Sequence, residues 1–175
     1  MNIGIYGGSF NPIHFGHIGL TKWVIENTDL DQVWLMVTPN NPLKDPSILA
    51  DEQLRLSKAK EAIRQLGDKA SNIIVSDFEF HLPRPTYTAN TLRALVNQYP
   101  EHAFTLIIGE DNLDIFDQWR EYRYILDSYR IFVYPRNNIY NSNFPSQQRQ
   151  AILQAAKNLK LLSEAPYFDI SSTTL

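Results

Sequence analysis

The sequence contains no cysteine and no long apolar run. The missing cysteines exclude disulfide bonds, thiolate metal sites and a cysteine nucleophile, and they are typical of a reducing cytoplasm. No apolar run approaches the roughly 20 residues that a membrane helix needs, and the start of the chain lacks the basic and apolar regions of a signal peptide. We therefore expect a soluble, cytoplasmic protein that does not bind membranes.

Neither sign of charge is in large excess. With a formal net charge of -3, the chain offers no broad basic surface for a nucleic-acid backbone, so we expect no nucleic-acid partner. A phosphate-bearing ligand must instead meet a local cluster of hydrogen-bond donors. The length of 175 residues suits one hydrophobic core, so we predict a single domain over 1–175.

Short apolar segments alternate with amphipathic ones along the chain. The apolar segments predict strands at 3–6, 33–37, 73–75, 104–108, 129–134 and 161–162. The amphipathic segments predict helices at 17–27, 51–66, 92–99, 112–126 and 147–159. This alternation predicts an α/β fold, a doubly wound parallel sheet with helices on both faces.

Ligands of such sheets bind beyond the carboxyl ends of the strands, where the strand order reverses. The loops that follow residues 6, 37, 75, 108 and 134 should therefore form one binding edge. The polar stretch 137–146 is the best candidate for a mobile loop, because it lacks any apolar periodicity.

The strongest local signal is the string G-G-S-F-N-P-I-H-F-G-H at 7–17, between the first strand and the first helix. Glycines let the backbone approach phosphate closely, and a helix N-terminus offers free N–H groups and a partial positive charge. His14 and His17 lie three residues apart, so both imidazoles project from one face of the helix start. There they can bond adjacent phosphate oxygens and stabilise a leaving pyrophosphate. Gly16 leaves room for the nucleotide.

The spacing of this histidine pair also fits two different kinds of structure. A tight turn with two solvated histidines produces an isolated H-x-x-H pattern as well. A zinc site is the second alternative, because histidines at i and i+3 can share a metal. Since no cysteine and no adjacent carboxylate completes a ligand set, we expect no metal held by protein side chains.

The string resembles the phosphate-binding signature of the nucleotidyltransferase superfamily, with His14, Gly16 and His17 in its H-x-G-H element. That signature indicates the reaction class and leaves the substrate open. Five further segments resemble the nicotinate-nucleotide adenylyltransferase family and extend the resemblance over nearly the whole chain. They are P-N-N-P-L-K at 39–44, P-T-Y-T-A-N-T-L at 85–92, I-I-G-E-D at 107–111, D-Q-W-R-E-Y at 117–122 and D-I-S-S-T-T-L at 169–175.

The resemblance implies a Rossmann-like nucleotidyltransferase fold and transfer of AMP from ATP to nicotinic acid mononucleotide. The products are nicotinic acid adenine dinucleotide, for NAD biosynthesis, and pyrophosphate. The attacking phosphate oxygen is already anionic, so no general base is required, and Mg²⁺ would bind through substrate phosphates and water. Two alternative functions stay open: another nucleotidyltransferase, such as a pantetheine-phosphate enzyme, and a non-catalytic nucleotide-binding sensor. An oligomer also stays open.

The resemblance assigns roles residue by residue, with His14 and His17 as the catalytic pair. The residues that it implies for ATP binding are Gly7, Gly8, Ser9, Phe10, Gly16, Gly109, Ser171, Ser172 and Thr173. Those that it implies for the mononucleotide are Asn40, Lys44, Thr88, Asp111, Trp119 and Arg136, with Trp119 stacking on the pyridine ring.

Most of these residues would also suit a purely structural role. Trp119 would suit a hydrophobic core, because tryptophan is highly buried on average. Thr88, Asp111 and the serines at 171–172 would suit helix N-caps. Basic side chains on loops, such as Lys44 and Arg136, are usually solvated.

The chain departs from the family pattern at two places. Asn11 stands where many superfamily members carry Asp, which leaves a hydrogen-bonding or turn role but no charge. The family continues after its I-S-S-T segment with an arginine and a short C-terminal helical segment, whereas this sequence ends at Leu175. We therefore expect either a domain that lacks this segment or an active site without that cation.

Overall fold

A computed structural model describes residues 1–40, 49–136 and 146–168. Six strands form one sheet, numbered along the chain as β1 (Asn2–Gly8), β2 (Gln32–Val37), β3 (Ile73–Ser76), β4 (Ala103–Gly109), β5 (Arg130–Tyr134) and β6 (Leu159–Leu161). Every neighbouring pair is parallel, in the order β3-β2-β1-β4-β5-β6. The order reverses between β1 and β4, where sheets of this class bind nucleotides.

Alternate residues of the central strands pack on opposite faces of the sheet. In β4, Leu106 and Ile108 belong to one hydrophobic cluster, whereas Ile107 belongs to the other. Because both faces are covered, the strands are almost continuously apolar, as buried parallel strands are. The predicted doubly wound parallel sheet is therefore confirmed.

Five α-helices cover the two faces: α1 (Phe15–Asn27), α2 (Leu49–Arg64), α3 (Thr88–Gln98), α4 (Tyr122–Ser128) and α5 (Gln147–Ala155). Apolar residues of α1 and α2 pack in one cluster, and those of α3, α4 and α5 pack in the other. No helix within the described ranges has the length and apolar character that crossing a membrane requires.

The element boundaries shift by a few residues from those predicted. Strand β1 continues to Gly8, and α1 begins two residues earlier than the apolar stripe suggested, because His14 caps it. Helix α5 ends at Ala155 rather than at 159, and β6 is Leu159–Leu161 rather than 161–162. Residues 137–145, the predicted mobile loop except for its last residue, lie outside the described residues.

The predicted continuous helix over 112–126 is wrong. The structure has two 3₁₀ turns, Glu110–Asp114 and Phe116–Gln118, before the short α4. The backbone is extended at Trp119 and left-handed at Glu121, with φ 54°, so no helix passes through this segment. The physical reason is packing, since the Trp119 ring stacks on the buried Phe116 ring at a centroid distance of 4.6 Å.

Candidate active site

The described residues form several cavities along or beside the carboxyl edge of the sheet, and three of these are lined by predicted site residues. The inner cavity, about 270 Å³, lies between β1, β4 and α3 and includes Glu79, Thr91 and Trp119 in its wall. The loop cavity, about 210 Å³, follows β1 and is lined by residues 6–12 with His17 and Arg136. The outer cavity, about 540 Å³, opens between residues 86–88 and 118–120. The predicted binding edge therefore carries enclosed space.

Helix α1 begins with a reciprocal cap made by the two histidines. The backbone N–H of Gly16 donates to His14 Nδ1 at 3.2 Å, and the backbone N–H of His14 donates to His17 Nδ1 at 3.1 Å. A nitrogen that accepts a hydrogen bond carries no proton, so these contacts assign the proton of each neutral ring to Nε2. The centroids of the two rings lie 3.9 Å apart, and both rings offer an Nε2–H donor.

The histidine pair is not a solvated turn, so that alternative is wrong. His17 is only 9% exposed and contacts the ring of Phe10 at a centroid distance of 5.1 Å. The Nε2 atom of His14 is buried and has no hydrogen-bond partner among the described residues. Leaving a buried donor unpaired costs about 1–3 kcal/mol, which an anionic oxygen at this position would offset.

Burial also sets the charge of His17. It lowers the pKa of the imidazole to about 4, and the nearby His14 and Arg136 lower it in the same direction. At neutral pH, His17 is therefore an uncharged hydrogen-bond donor and not an imidazolium. Among the described residues, no three histidine or carboxylate side chains group together as a metal site would require.

The loop after β1 turns the side chain of Phe10 inward. Phe10 has a left-handed backbone, with φ 48°, and its ring is buried between Tyr6 and His17. Only the backbone of Phe10 can therefore meet a nucleotide. Gly7 is exposed, and a Cβ there would meet nothing closer than 4.0 Å, so the strand end stays open to a ligand. The uncharged Asn11 lines the loop cavity.

A side chain at Gly109 would crowd the turn after β4. A Cβ on Gly109 would lie 2.7 Å from Asp111 Oδ1 and 3.1 Å from the Tyr134 ring. Gly109, and not Asp111, occupies the N-cap position of the following turn, so the prediction of Asp111 as an N-cap is wrong. The exposed Asp111 carboxylate lies 4.0 Å from Arg136 Nε, which brings these two predicted residues together.

Trp119 and Thr88 both line the inner cavity and the outer cavity. One part of Trp119 packs on Phe116, so this side chain belongs both to the core and to the cavity wall. Thr88 is the first residue of α3, and Tyr87 occupies the N-cap position. The prediction of Thr88 as an N-cap is therefore wrong.

Two buried charged residues of α2 fasten the loops of this edge. Arg55 Nη1 donates to the Ser9 carbonyl at 2.7 Å, and Arg55 Nη2 donates to Asn40 Oδ1 at 2.9 Å. Glu52 Oε2 accepts from the Asn40 backbone N–H at 2.7 Å and from Arg84 Nη1 at 2.8 Å. Helix α2 thus joins the loops after β1 and β2 to the segment before α3.

Arg149 of α5 performs a similar task on the other side. Its guanidinium donates to both carboxylate oxygens of Asp114, at 3.1 and 2.8 Å, and so holds the turn after Gly109. Glu110, in that turn, accepts from the Arg136 backbone N–H at 2.9 Å.

Four residues that hold or line the site were not predicted from the sequence: Glu52, Arg55, Glu79 and Arg149. For the two arginines, the sequence held one signal. Arg55 is adjacent in sequence to a buried apolar residue of its helix, and Arg149 lies three residues from one. Four predicted residues, Lys44, Ser171, Ser172 and Thr173, lie outside the described residues.

Comparison with known proteins gives consistent matches over the whole chain. The model of the family described as "Cytidylyltransferase-like" matches residues 5–175. A relative from Flavobacterium psychrophilum, named "Probable nicotinate-nucleotide adenylyltransferase", is 42% identical over 99% of this chain and 83% of its own length. A Bacteroides fragilis relative of the same name is 44% identical over 97% of this chain and 78% of its own length.

Solved structures share the fold. The Plasmodium falciparum nicotinic acid mononucleotide adenylyltransferase complexed with NaAD has a TM-score of 0.77 and 22% identity, with coverage of 99% of this chain and 81% of that chain. The same enzyme complexed with APC has a TM-score of 0.74 over the same shares of both chains.

Proposed function

The chain belongs to the nicotinate-nucleotide adenylyltransferase family, and from this membership we infer that it transfers AMP from ATP to nicotinic acid mononucleotide. The products are nicotinic acid adenine dinucleotide and pyrophosphate. This reaction is a step of NAD biosynthesis. The observation that carries this proposal within the molecule is the pair of Nε2–H donors at the start of α1, one of them buried and unpaired among the described residues.

The reaction needs placement and charge stabilisation. A phosphate oxygen of the mononucleotide attacks the α-phosphorus of ATP, the new P–O bond forms, and the bond to the β-phosphate oxygen breaks as pyrophosphate leaves. The attacking oxygen is already anionic, so no residue must remove a proton. Holding the reactants in line can lower the barrier by about 7–11 kcal/mol.

His14 and His17 stabilise the negative charge that builds on the phosphates. Their Nε2–H donors are held by backbone hydrogen bonds at 3.1 and 3.2 Å, so little reorganisation is needed when charge develops. The N-terminus of α1 adds free backbone N–H groups and a partial positive charge. Because burial keeps His17 uncharged near neutral pH, it meets the incoming phosphates as a neutral Nε2–H donor.

The acceptor nucleotide occupies the inner cavity and the outer cavity in this proposal. Trp119 stacks on the pyridine ring, and Thr88 holds its substituted end, since both side chains line the two cavities. Asp111 accepts from a ribose hydroxyl, and Asn40 and Arg136 meet the mononucleotide phosphate. Binding of the mononucleotide by Lys44, and binding of ATP by the hydroxyls of Ser171, Ser172 and Thr173, remain predictions.

Magnesium enters with ATP in this proposal. Mg²⁺ prefers phosphate oxygens and water over an all-protein cage, and within the described ranges no carboxylate cluster competes for it. When bound, the ion neutralises part of the triphosphate charge. The chain's own contribution is the set of donors around the phosphates.

A pyrophosphate-release assay with ATP and a panel of acceptors tests the proposal. Nicotinic acid mononucleotide should support turnover, and nicotinamide mononucleotide and phosphopantetheine should be poor acceptors. Preferred turnover of phosphopantetheine would show a different transferase, and binding of ATP without turnover of any acceptor would show a non-catalytic sensor. Family membership argues against a different transferase, and the intact histidine pair argues against a non-catalytic sensor.

A further inference from the structure

The wall of the inner cavity contains a buried carboxyl group, that of Glu79. The side chain belongs to a 3₁₀ turn, Phe78–His81, and is 8% exposed. Its Oε2 accepts from Thr91 Oγ1 at 2.8 Å, and its Oε1 accepts from Thr86 Oγ1 at 3.2 Å. Both threonines also line the inner cavity, so the carboxyl group lies at the cavity surface.

No cation of the described residues forms an ion pair with Glu79. The nearest arginine in sequence, Arg84, pairs with Glu52 at 2.8 Å, and the exposed His81 lies against Asp77 at 3.4 Å. Burial raises the pKa of Glu79, against the two hydroxyl hydrogen bonds that lower it. A buried carboxyl group with no cation beside it favours its protonated form, and a cation that enters the cavity would favour the ionised form.

Among the described residues that line the inner cavity, Glu79 is the only charged one. Arg120 lies at the outer cavity, with its guanidinium 4.4 Å from the Tyr87 ring centre, and Arg136 lies at the loop cavity. The cations that suit the anionic groups of a nucleotide thus stand at the neighbouring cavities. The inner cavity presents an acidic group instead.

A pyridine mononucleotide carries a permanent positive charge, because its ring nitrogen forms the glycosidic bond. On the basis of the proposed function, we propose that the Glu79 carboxylate is the counter-charge of this pyridinium ring and selects a cationic ring over a neutral one. Thr86 and Thr91 hold the carboxylate at the cavity wall, and Trp119 supplies an aromatic surface there, which also favours a cation.

Glu79→Gln tests the proposal, because it removes the charge and keeps the shape. Glu101→Gln is the matched control, since Glu101 is exposed and does not line the cavity. Calorimetry should compare three ligands. They are nicotinic acid mononucleotide, its analogue in which a benzoate ring joined to the ribose by a C–C bond replaces the pyridinium ring, and a non-hydrolysable ATP analogue. The neutral analogue has the same carboxylate and phosphate but no ring charge.

Wild type and Glu101→Gln should prefer the cationic ring, and Glu79→Gln should lose about 30-fold or more in affinity for it, the scale for removing one partner of a buried charge pair. Affinity for the neutral-ring ligand and for the ATP analogue should stay within about twofold, because neither presents a positive charge to residue 79. The preference of wild type for the cationic ring should therefore collapse in this variant alone.

The melting temperature separates this role from a structural one. Glu79→Gln should melt no lower than wild type at pH 7, because Gln keeps the shape and removes an acidic group that is buried without a cation. A clear loss of stability with equal weakening of all three ligands would overturn the proposal and show a structural residue. An unchanged ratio of cationic to neutral ligand would overturn it as well.

Failure of the proposed function would look different. In that case wild type itself would neither bind nicotinic acid mononucleotide nor release pyrophosphate with it. If wild type turns over this acceptor and Glu79→Gln does so with unchanged KM and unchanged ring preference, only the role of Glu79 is lost.

Discussion

The start of α1 and the inner cavity are two parts of one binding edge with opposite construction. The start of α1 is made by a contiguous string, and its histidines are positioned by backbone contacts two and three residues away. The inner cavity is made by segments far apart in sequence, with Glu79 bonded to Thr91 and Trp119 packed on Phe116. The first presents hydrogen-bond donors to anions, and the second presents a carboxylate.

The two parts supply the binding energy for the two halves of the proposed reaction in different ways. The phosphate end needs only a short motif, because a helix N-terminus already concentrates donors. The acceptor end needs long-range contacts, which hold a buried charge against its desolvation cost. Variants at the two parts should therefore fail in different ways.

Removal of one donor at the start of α1, proposed above to act in catalysis, should have the largest effect. We expect His17→Ala to lower turnover by about 10²–10³, the scale for loss of one charge-stabilising donor. Its melting temperature should fall only modestly, because the lost cap of α1 is worth about 1 kcal/mol. Steady-state pyrophosphate release at saturating substrates measures this effect. The exposed His81→Ala is the control, and equal rates for both variants would remove His17 from the mechanism.

Removal of the cavity aromatic should affect one ligand and not the other. We expect Trp119→Ala to weaken nicotinic acid mononucleotide by about 10- to 100-fold, since it loses a stacking surface of about 1.5–3 kcal/mol, and to leave the ATP analogue nearly unchanged. Calorimetry with each ligand decides this. Trp34→Ala is the control, because Trp34 packs on Tyr99 and Phe104 and lines none of the three cavities. Equal losses for both ligands would make Trp119 structural.

Arg55 contacts the loops after both β1 and β2, so its loss should weaken the binding of both nucleotides. Arg55→Met leaves the Ser9 carbonyl and the Asn40 amide without their charged donor. We expect affinity for both nucleotides to fall together by about 10-fold, because hydrogen bonds to charged groups are worth about 1.5–3 kcal/mol. The exposed Arg64→Met should change neither. A loss confined to one nucleotide would contradict the idea that α2 fastens both loops.

The smallest effect should be the pH dependence of stability. Since burial lowers the folded-state pKa of His17 to about 4, below its unfolded value of 6.5, its stabilising contribution is present above about pH 6.5. That contribution is lost as the pH falls from there towards 4. Melting temperatures across this range should decline less steeply for His17→Gln than for wild type. Parallel curves would show that His17 is not buried as a neutral ring.

The parts of this molecule that the sequence predicted are those set by local rules. Apolar runs and amphipathic stripes predicted the parallel sheet, and glycine with histidine predicted the donor site before α1. The helix over 112–126 failed because the stacking of Trp119 on Phe116 overrides the local periodicity. Glu79 was missed because nothing within its own segment reveals that two threonines, 7 and 12 residues away, enclose it.

The buried arginines were missed for the same reason. Arg55 reaches the Ser9 carbonyl across 46 positions of sequence, and Arg149 reaches Asp114 across 35. Such contacts exist only once the sheet brings the loops together. Conversely, Phe10 lies within a recognisable motif, yet its ring packs inward, because the left-handed backbone at this residue turns the loop.

The most direct test of the central claim is ¹⁵N NMR of the histidine side chains, recorded with and without a magnesium-bound, non-hydrolysable ATP analogue. We predict a neutral His17 ring near pH 7, a proton on Nε2 of both His14 and His17, and a large shift of both Nε2 signals when the nucleotide binds. Rings protonated at Nδ1, or Nε2 signals that do not respond to the nucleotide, would contradict it.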